Sequence, residues 1–125
     1  MLHFFGEVNR MIIRIYALID PRAGEVRYIG QTRNTLALRM AGHRCAVTTV
    51  MREWIDELAD IGVQPEIVEI DEVAGPEPIS GRWCETEERA LEIEGDWALR
   101  YILGGADLLN QLWPRSCIFQ IAASG

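Results

Sequence analysis

Two side chains suited to phosphate chemistry stand four residues apart in the segment LALRMAGH, residues 36–43. Residues at this spacing share one face of an α-helix, so Arg39 and His43 would project together. An arginine offers a planar, permanently charged fork to a phosphate, and a histidine can take part in proton transfer near neutral pH. The pair is therefore typical of a site that binds and activates a phosphate, although an ordinary solvated helix face has the same pattern.

Two tyrosines lie on segments that alternate like the strands of a hairpin. Residues 12–19 and 25–30 are rich in β-branched side chains, and the sequence between them, DPRAG, has turn chemistry. A loop of Pro21, Arg22 and Ala23 would pair residues whose numbers sum to 44. Tyr16 would then lie directly opposite Tyr28 on the same face of the sheet. A tyrosine pair across a hairpin can also serve packing alone.

A carboxylate occupies the apolar side of the helix predicted over residues 86–102. At 100° per residue, Glu94 falls in the apolar arc and not among the charged residues of the other side. An ionised group in an apolar setting is costly, so it must be paired, neutralised or bound to a metal. Glu94 is therefore either a metal ligand or a paired structural carboxylate.

The remaining elements that must position these residues also follow from the sequence. Asn34 or Thr35 can cap the helix that begins near Leu36. The 3.6-residue spacing of apolar residues predicts a second helix over 50–61, and Gly62 ends it. A third strand is expected over 66–70, followed by a loop over 71–81 that is rich in glycine and proline.

This order of elements predicts an α/β (α+β) fold, with a small three-stranded antiparallel sheet flanked by helices. A length of 125 residues suits one domain with one hydrophobic core. We assign residues 12–125 to that domain and residues 1–11 to an N-terminal extension, because Met11 opens the first predicted strand.

The charge is unevenly distributed along the chain. The net charge of −7 argues against a nucleic-acid partner in general. However, residues 1–52 hold eight arginines and three acidic residues, whereas residues 53–125 hold four arginines and sixteen acidic residues. An anionic ligand is therefore expected on the N-terminal half. The substrate-binding candidates there are Arg14, Arg27, Arg33 and Arg44.

The three cysteines, Cys45, Cys84 and Cys117, are widely and irregularly spaced, which favours reduced thiols over a zinc site or a disulfide framework. No apolar run approaches the length of about 20 residues that a membrane-spanning helix needs. The first ten residues lack the long apolar core of a signal peptide. These features predict a cytoplasmic protein with no membrane partner.

Five motifs occur together in one order: RIYALID from Arg14, RYIGQT from Arg27, LALRMAGH from Leu36, EGDW from Glu94 and LLN ending at Asn110. In this order and spacing, the chain resembles the GIY-YIG nuclease superfamily over residues 12–111. Arg14 is a departure, because the first motif of that family usually has glycine at this position. The resemblance implies a GIY-YIG-like fold. Many members of that family also have a separate DNA-binding module, but this sequence shows no zinc-finger, helix-turn-helix or basic-tail signature and is expected to be a stand-alone catalytic domain.

The resemblance also implies an activity, namely metal-dependent endonuclease cleavage of the phosphodiester bonds of DNA. Glu94 would bind one divalent cation, Mg²⁺ or Mn²⁺, and Arg39 would contact the scissile phosphate. Tyr16 would act as the general base, Tyr28 and His43 would orient or activate the attacking water, and Asn110 would buttress the site. Three alternatives remain open: an inactive module that binds nucleic acid or a protein, an enzyme that cleaves RNA, and a toxin-like nuclease partnered with an inhibitor. A protein partner for targeting is also compatible with the sequence.

Overall fold

A computed structural model describes residues 9–44, 49–78 and 84–110 of the chain. In chain order, the elements are β1 Arg10–Asp20, β2 Glu25–Thr32, α1 Leu36–Arg44, α2 Thr49–Asp60, β3 Glu66–Pro76 and α3 Glu85–Leu103. The strands form one antiparallel sheet in the order β2-β1-β3, so the predicted α+β class with a three-stranded sheet is confirmed. Within the described ranges, none of the helices combines the length and the apolar character that a membrane span requires.

The central strand, β1, is covered on both faces. Alternate side chains of a strand point to opposite faces, so β1 contributes to two apolar clusters. One cluster packs against α3 and contains Met11, Ile13, Ile15, Ala17, Ile29, Val73, Ala90 and Ala98. The other packs against α1 and α2 and contains Tyr16, Leu18, Met40, Met51, Trp54 and Leu58. Tyr16 therefore belongs to the α1 side of the sheet, whereas α3 lies on the other side.

The predicted hairpin register is wrong by two residues, although its main consequence holds. Tyr16 pairs with Gly30 and Leu18 pairs with Tyr28. One residue of the difference arises at the turn, where Asp20 pairs with Glu25, and the other arises from a bulge at Arg27. A shift of one residue would have moved Tyr28 to the other face, whereas a shift of two keeps it on the face of Tyr16. The two tyrosines are therefore diagonal neighbours instead of direct partners.

The sheet extends further than the sequence suggests at two places. β1 begins at Arg10 and Met11 is buried, so both residues belong to the sheet and not to an N-terminal extension. β3 continues to Pro76, where a loop was predicted, because residues 71–76 pair with the first half of β1. Gly75 suits this strand because a Cβ there would collide with the buried hydroxyl of Thr86, at the start of α3. The glycine thus lets α3 lie close to β3.

Hydrogen bonds hold both helices that follow β2 in place. The Thr35 hydroxyl accepts a hydrogen bond from the Leu38 amide at 3.2 Å, which confirms Thr35 as the cap of α1. Asp20, at the end of β1, accepts hydrogen bonds from Arg22 and from the indole of Trp54 on α2. These contacts hold the pKa of the Asp20 carboxyl well below its usual range, mainly through Arg22. The hairpin and α2 are consequently held together by a buried, ionised carboxylate.

Candidate active site

The hydroxyl of Tyr16 lies at the centre of the site, because two side chains of α1 converge on it. Arg39 Nε donates a hydrogen bond to this oxygen at 2.9 Å, and His43 Nε2 lies 2.6 Å from it. The four-residue spacing on α1 therefore does place both side chains on one face, as predicted. Tyr16 is fully buried and His43 is only 5% exposed, so little water competes for these contacts.

The protonation states around Tyr16 follow from burial and charge. Burial, together with the charge of Arg39, lowers the pKa of His43 to about 4, so its imidazole is neutral at pH 7. Burial also raises the pKa of Tyr16 well above its usual value, so its hydroxyl keeps its proton. Arg39 donates to the Tyr16 oxygen, and an imidazole with its proton on Nδ1 can accept the Tyr16 hydroxyl proton at Nε2.

Gly30 makes room for the two tyrosine rings. Tyr28 lies beside Tyr16 with 6.2 Å between ring centroids, and Arg39 also hydrogen-bonds to the Tyr28 hydroxyl. A Cβ on Gly30 would lie 2.5 Å from the Tyr16 oxygen and 2.7 Å from Tyr28 Cε2. No ordinary side chain fits at this distance, so the bare backbone at Gly30 is a steric requirement of the site.

Replacing Gly30 with alanine should disrupt the site and destabilise the fold by about 1–3 kcal/mol, because the added methyl overpacks a closed core. Thermal and denaturant unfolding would measure the change. Gly42→Ala is the matched control: a Cβ there lies 3.5 Å from Arg39 Nη1, an ordinary contact. Gly42 is exposed in the last turn of α1, so this control should raise stability by at most about 1 kcal/mol. Equal effects of the two substitutions would contradict the steric argument.

Glu94 is buried on α3, with only 4% of its surface exposed, as the helical periodicity predicts. Burial raises its pKa to about 7, while a hydrogen bond with Gln31 and the positive charge of Arg39 act in the opposite direction. The Glu94 charge in turn helps to raise the pKa of Tyr28 and of Tyr16. Glu94 therefore interacts electrostatically with Arg39, Tyr28 and Tyr16, although α3 covers the other face of the sheet.

Gln31 is a site residue that the sequence analysis missed. It pairs with Ile15 on β1, so its side chain lies on the face that α3 covers, and it contacts Glu94 there. Its position directly after Gly30 was the only available signal. The site thus uses both faces of β2, with Tyr28 on one side and Gln31 on the other.

Asn110 lies against the outer edge of β2. Its side-chain oxygen accepts the Ile29 amide proton at 2.9 Å, and its nitrogen donates to the Ile29 carbonyl at 2.5 Å. The Leu109 amide also donates to the Arg27 carbonyl. Both of these side-chain hydrogen bonds of Asn110 are therefore made to the backbone of Ile29, between Tyr28 and Gly30, and not to a catalytic side chain. This contact supports a buttressing role.

Three of the arginines that were expected to bind substrate have partners within the protein. Arg14 Nε lies 3.0 Å from Glu69, and Arg33 Nη2 lies 3.1 Å from Glu87. Arg27 Nε donates to the Asp107 carbonyl, and its guanidinium lies 5.8 Å from the Trp54 ring. The side chain of the fourth, Arg44, falls outside the described residues.

The residues of the site suit a hard cation with one protein ligand. Glu94 is a buried carboxylate whose charge is not fully compensated by Gln31 and Arg39, as its raised pKa indicates. Mg²⁺ is usually held by one or two carboxylates and keeps several waters. No group of three or more histidine, cysteine or acidic side chains with metal-binding geometry occurs in residues 9–44, 49–78 and 84–110. A site that depends on Glu94 would accordingly leave most coordination positions to water and substrate.

The chain has no match among known protein families, curated proteins or solved structures.

Proposed function

We propose that this chain is a metal-dependent endonuclease of the GIY-YIG kind that hydrolyses phosphodiester bonds of DNA. The observation that carries the proposal is the convergence of Arg39 and a neutral His43 on the Tyr16 hydroxyl, with contacts of 2.9 and 2.6 Å. The buried Glu94 carboxylate is electrostatically coupled to the same group. Together they supply an anion-binding cation, a proton-transfer pair and a cation ligand.

Arg39 has guanidinium donors beyond the Nε that contacts Tyr16. These donors are suited to the phosphate oxygens, whose negative charge increases as water attacks phosphorus. Arg39 is only half-buried, so a phosphate can reach it from solvent. We assign it the role of binding the scissile phosphate.

Tyr16 and His43 form the proton-transfer pair. In the proposed step, a water oxygen bonds to phosphorus while its proton moves to the Tyr16 oxygen. The original Tyr16 proton moves to His43 Nε2, and the bond from phosphorus to the leaving oxygen breaks with the electron pair on that oxygen. This relay avoids a free phenolate, which the raised pKa of Tyr16 disfavours. His43 thus extends the role of Tyr16 as general base.

Glu94 would hold Mg²⁺ or Mn²⁺, with Gln31 fixing the orientation of its carboxylate. A divalent cation bound there would supply Lewis-acid stabilisation of negative charge on the phosphate and the leaving oxygen. Tyr28 hydrogen-bonds to Arg39 and lies next to Tyr16, so we assign it to orienting these groups. Asn110 keeps the backbone of β2 in place below them.

We also propose a cytoplasmic location with DNA as the partner. The free thiol of Cys84 is consistent with a reducing compartment. The charge distribution, with the arginine-rich half carrying Tyr16 and Arg39, supports an anionic substrate.

A plasmid-relaxation assay tests the proposal directly. Supercoiled DNA should be nicked or linearised by the wild-type chain in Mg²⁺ or Mn²⁺ and should stay intact in chelator. Glu94→Ala should reduce cleavage to background, whereas Glu92→Ala, an exposed residue two positions away on α3, should cleave normally. Equal cleavage by wild type and Glu94→Ala, or none by either with any divalent metal, would overturn the proposal.

A further inference from the structure

One half of the central strand presents an open face next to the site. Arg10, Ile12 and Arg14 alternate along β1 on the same face as Tyr16. The helices α1 and α2 pack at the Tyr16 end of this face, whereas Ile12 is 42% exposed and Arg10 is exposed. We call this series the β1 track. It is continuous with the site because Arg14 lies only about 7 Å along the strand from Tyr16.

Opposite charges flank the β1 track on its β3 side. Glu72 pairs with Arg14, and Glu69 pairs with Tyr16, across the β1–β3 ladder. Arg14 contacts Glu69 at 3.0 Å, and their side chains are 36% and 39% exposed. On the β2 side, the residue opposite Arg14 is the uncharged Thr32. An anionic chain on the track would therefore be repelled from β3 and directed towards β2, where Gly30 and the tyrosines lie.

We infer that the β1 track binds the phosphate backbone of the DNA that flanks the cleaved bond, and that Glu69 competes with a phosphate for Arg14. This inference rests on the proposed function. The two arginines of the track and its continuity with the site favour this occupant. The Arg14–Glu69 ion pair is exposed, and exposed pairs contribute little to folding. A phosphate can therefore replace Glu69 as the partner of Arg14 at small cost.

The two roles predict opposite changes in DNA affinity. Arg14→Gln removes a phosphate contact, so affinity should fall about threefold to tenfold, and the slope of log K against log salt should become shallower. Glu69→Gln frees Arg14, so affinity should rise by a similar factor and the slope should become steeper. The slopes of these two variants should differ by about 0.9, the value of one phosphate contact. In the double variant, the Glu69 substitution should have almost no further effect, because its competitor is gone.

Fluorescence anisotropy with a short labelled DNA duplex would measure these affinities over a salt series, with chelator present so that the DNA stays intact. Arg100→Gln and Glu92→Gln are charge-matched controls on exposed positions of α3, which covers the other face of the sheet. Each control should change the affinity by less than twofold. Thermal unfolding of every variant would verify that the fold is retained.

The outcomes separate the inference from the proposed function. If the wild-type chain cleaves DNA but Arg14→Gln and Glu69→Gln bind like their controls, the inference fails and the proposed function stands. Binding that weakens in both variants would also overturn the competition, because an ion pair needed only for folding predicts that result. If the wild-type chain neither cleaves nor binds DNA, the inference and the proposed function fail together.

Discussion

Replacing Tyr16 with phenylalanine is expected to slow DNA cleavage by about 10²–10⁴-fold, the usual contribution of a positioned acid–base group. The substitution removes one oxygen and leaves the ring in the core. Arg39 Nε and His43 Nε2 both contact that oxygen, at 2.9 and 2.6 Å. The same change should also lower stability by about 1–3 kcal/mol, because the buried His43 loses its partner and the half-buried Arg39 loses one of its partners.

The control for this variant is Tyr101→Phe, which removes the same atom from a half-buried tyrosine of α3. Its cleavage rate should stay within about twofold of wild type. His43→Gln should reproduce much of the loss, and Tyr16→Phe/His43→Gln should be little slower than either single variant, because a relay acts as one unit. Single-turnover rates would be measured for wild type and all four variants. Fully additive effects would contradict the relay, and wild-type cleavage by Tyr16→Phe would exclude Tyr16 as the base.

Much of the site was predictable because local periodicity places its residues. The 3.6-residue period of α3 predicted a buried Glu94, and the four-residue spacing of α1 predicted that Arg39 and His43 share a face. Tyr28 reached the expected face by a different register, because the pairing at the turn is shifted by one residue and the bulge at Arg27 adds a second. The prediction that the two tyrosines share a face did not depend on the exact pairing, because a shift of two residues leaves a side chain on the same face of the sheet.

The remainder depends on tertiary pairing, which the sequence alone does not reveal. Glycine and proline in the segment after Ile70 indicated a loop, but pairing with β1 makes it a strand, and Gly75 is used for close packing on Thr86. Likewise, Gln31 has no periodic signal because its partner, Glu94, is distant in the chain. Such contacts depend on how α3 lies across the sheet.

The ion pairs of the arginines could not be predicted from the sequence either. Arg14 was expected to bind substrate because it lies in the basic half, but Glu69 comes from the acidic half of the chain. The same is true of Arg33 and Glu87. Folding brings the two halves together, so the charge asymmetry of the sequence is partly neutralised in the structure. Because Glu69 neutralises Arg14 in this way, it is the residue that we propose competes with DNA phosphate for Arg14.

Glu94 and His43 should affect the pH dependence of stability in opposite directions in the metal-free protein. The pKa of Glu94 is raised from 4.5 to about 7, so its contribution to stability is complete below pH 4.5 and is lost as the pH rises to 7. The pKa of His43 is lowered from 6.5 to about 4, so its contribution is complete above pH 6.5 and is lost as the pH falls to 4. Each change corresponds to about 3 kcal/mol.

In wild type the two effects should nearly cancel between pH 4.5 and 6.5, because the folded chain holds a proton on Glu94 where the unfolded chain holds one on His43. Glu94→Gln leaves only His43, so its free energy of unfolding should rise relative to wild type by about 3 kcal/mol from pH 4 to 7. His43→Gln leaves only Glu94 and should show a fall of similar size. Urea unfolding across this range, with chelator present, would measure both. Curves parallel to wild type would contradict the assignment of a neutral imidazole and a protonated carboxyl to the folded site, and with it the relay from Tyr16.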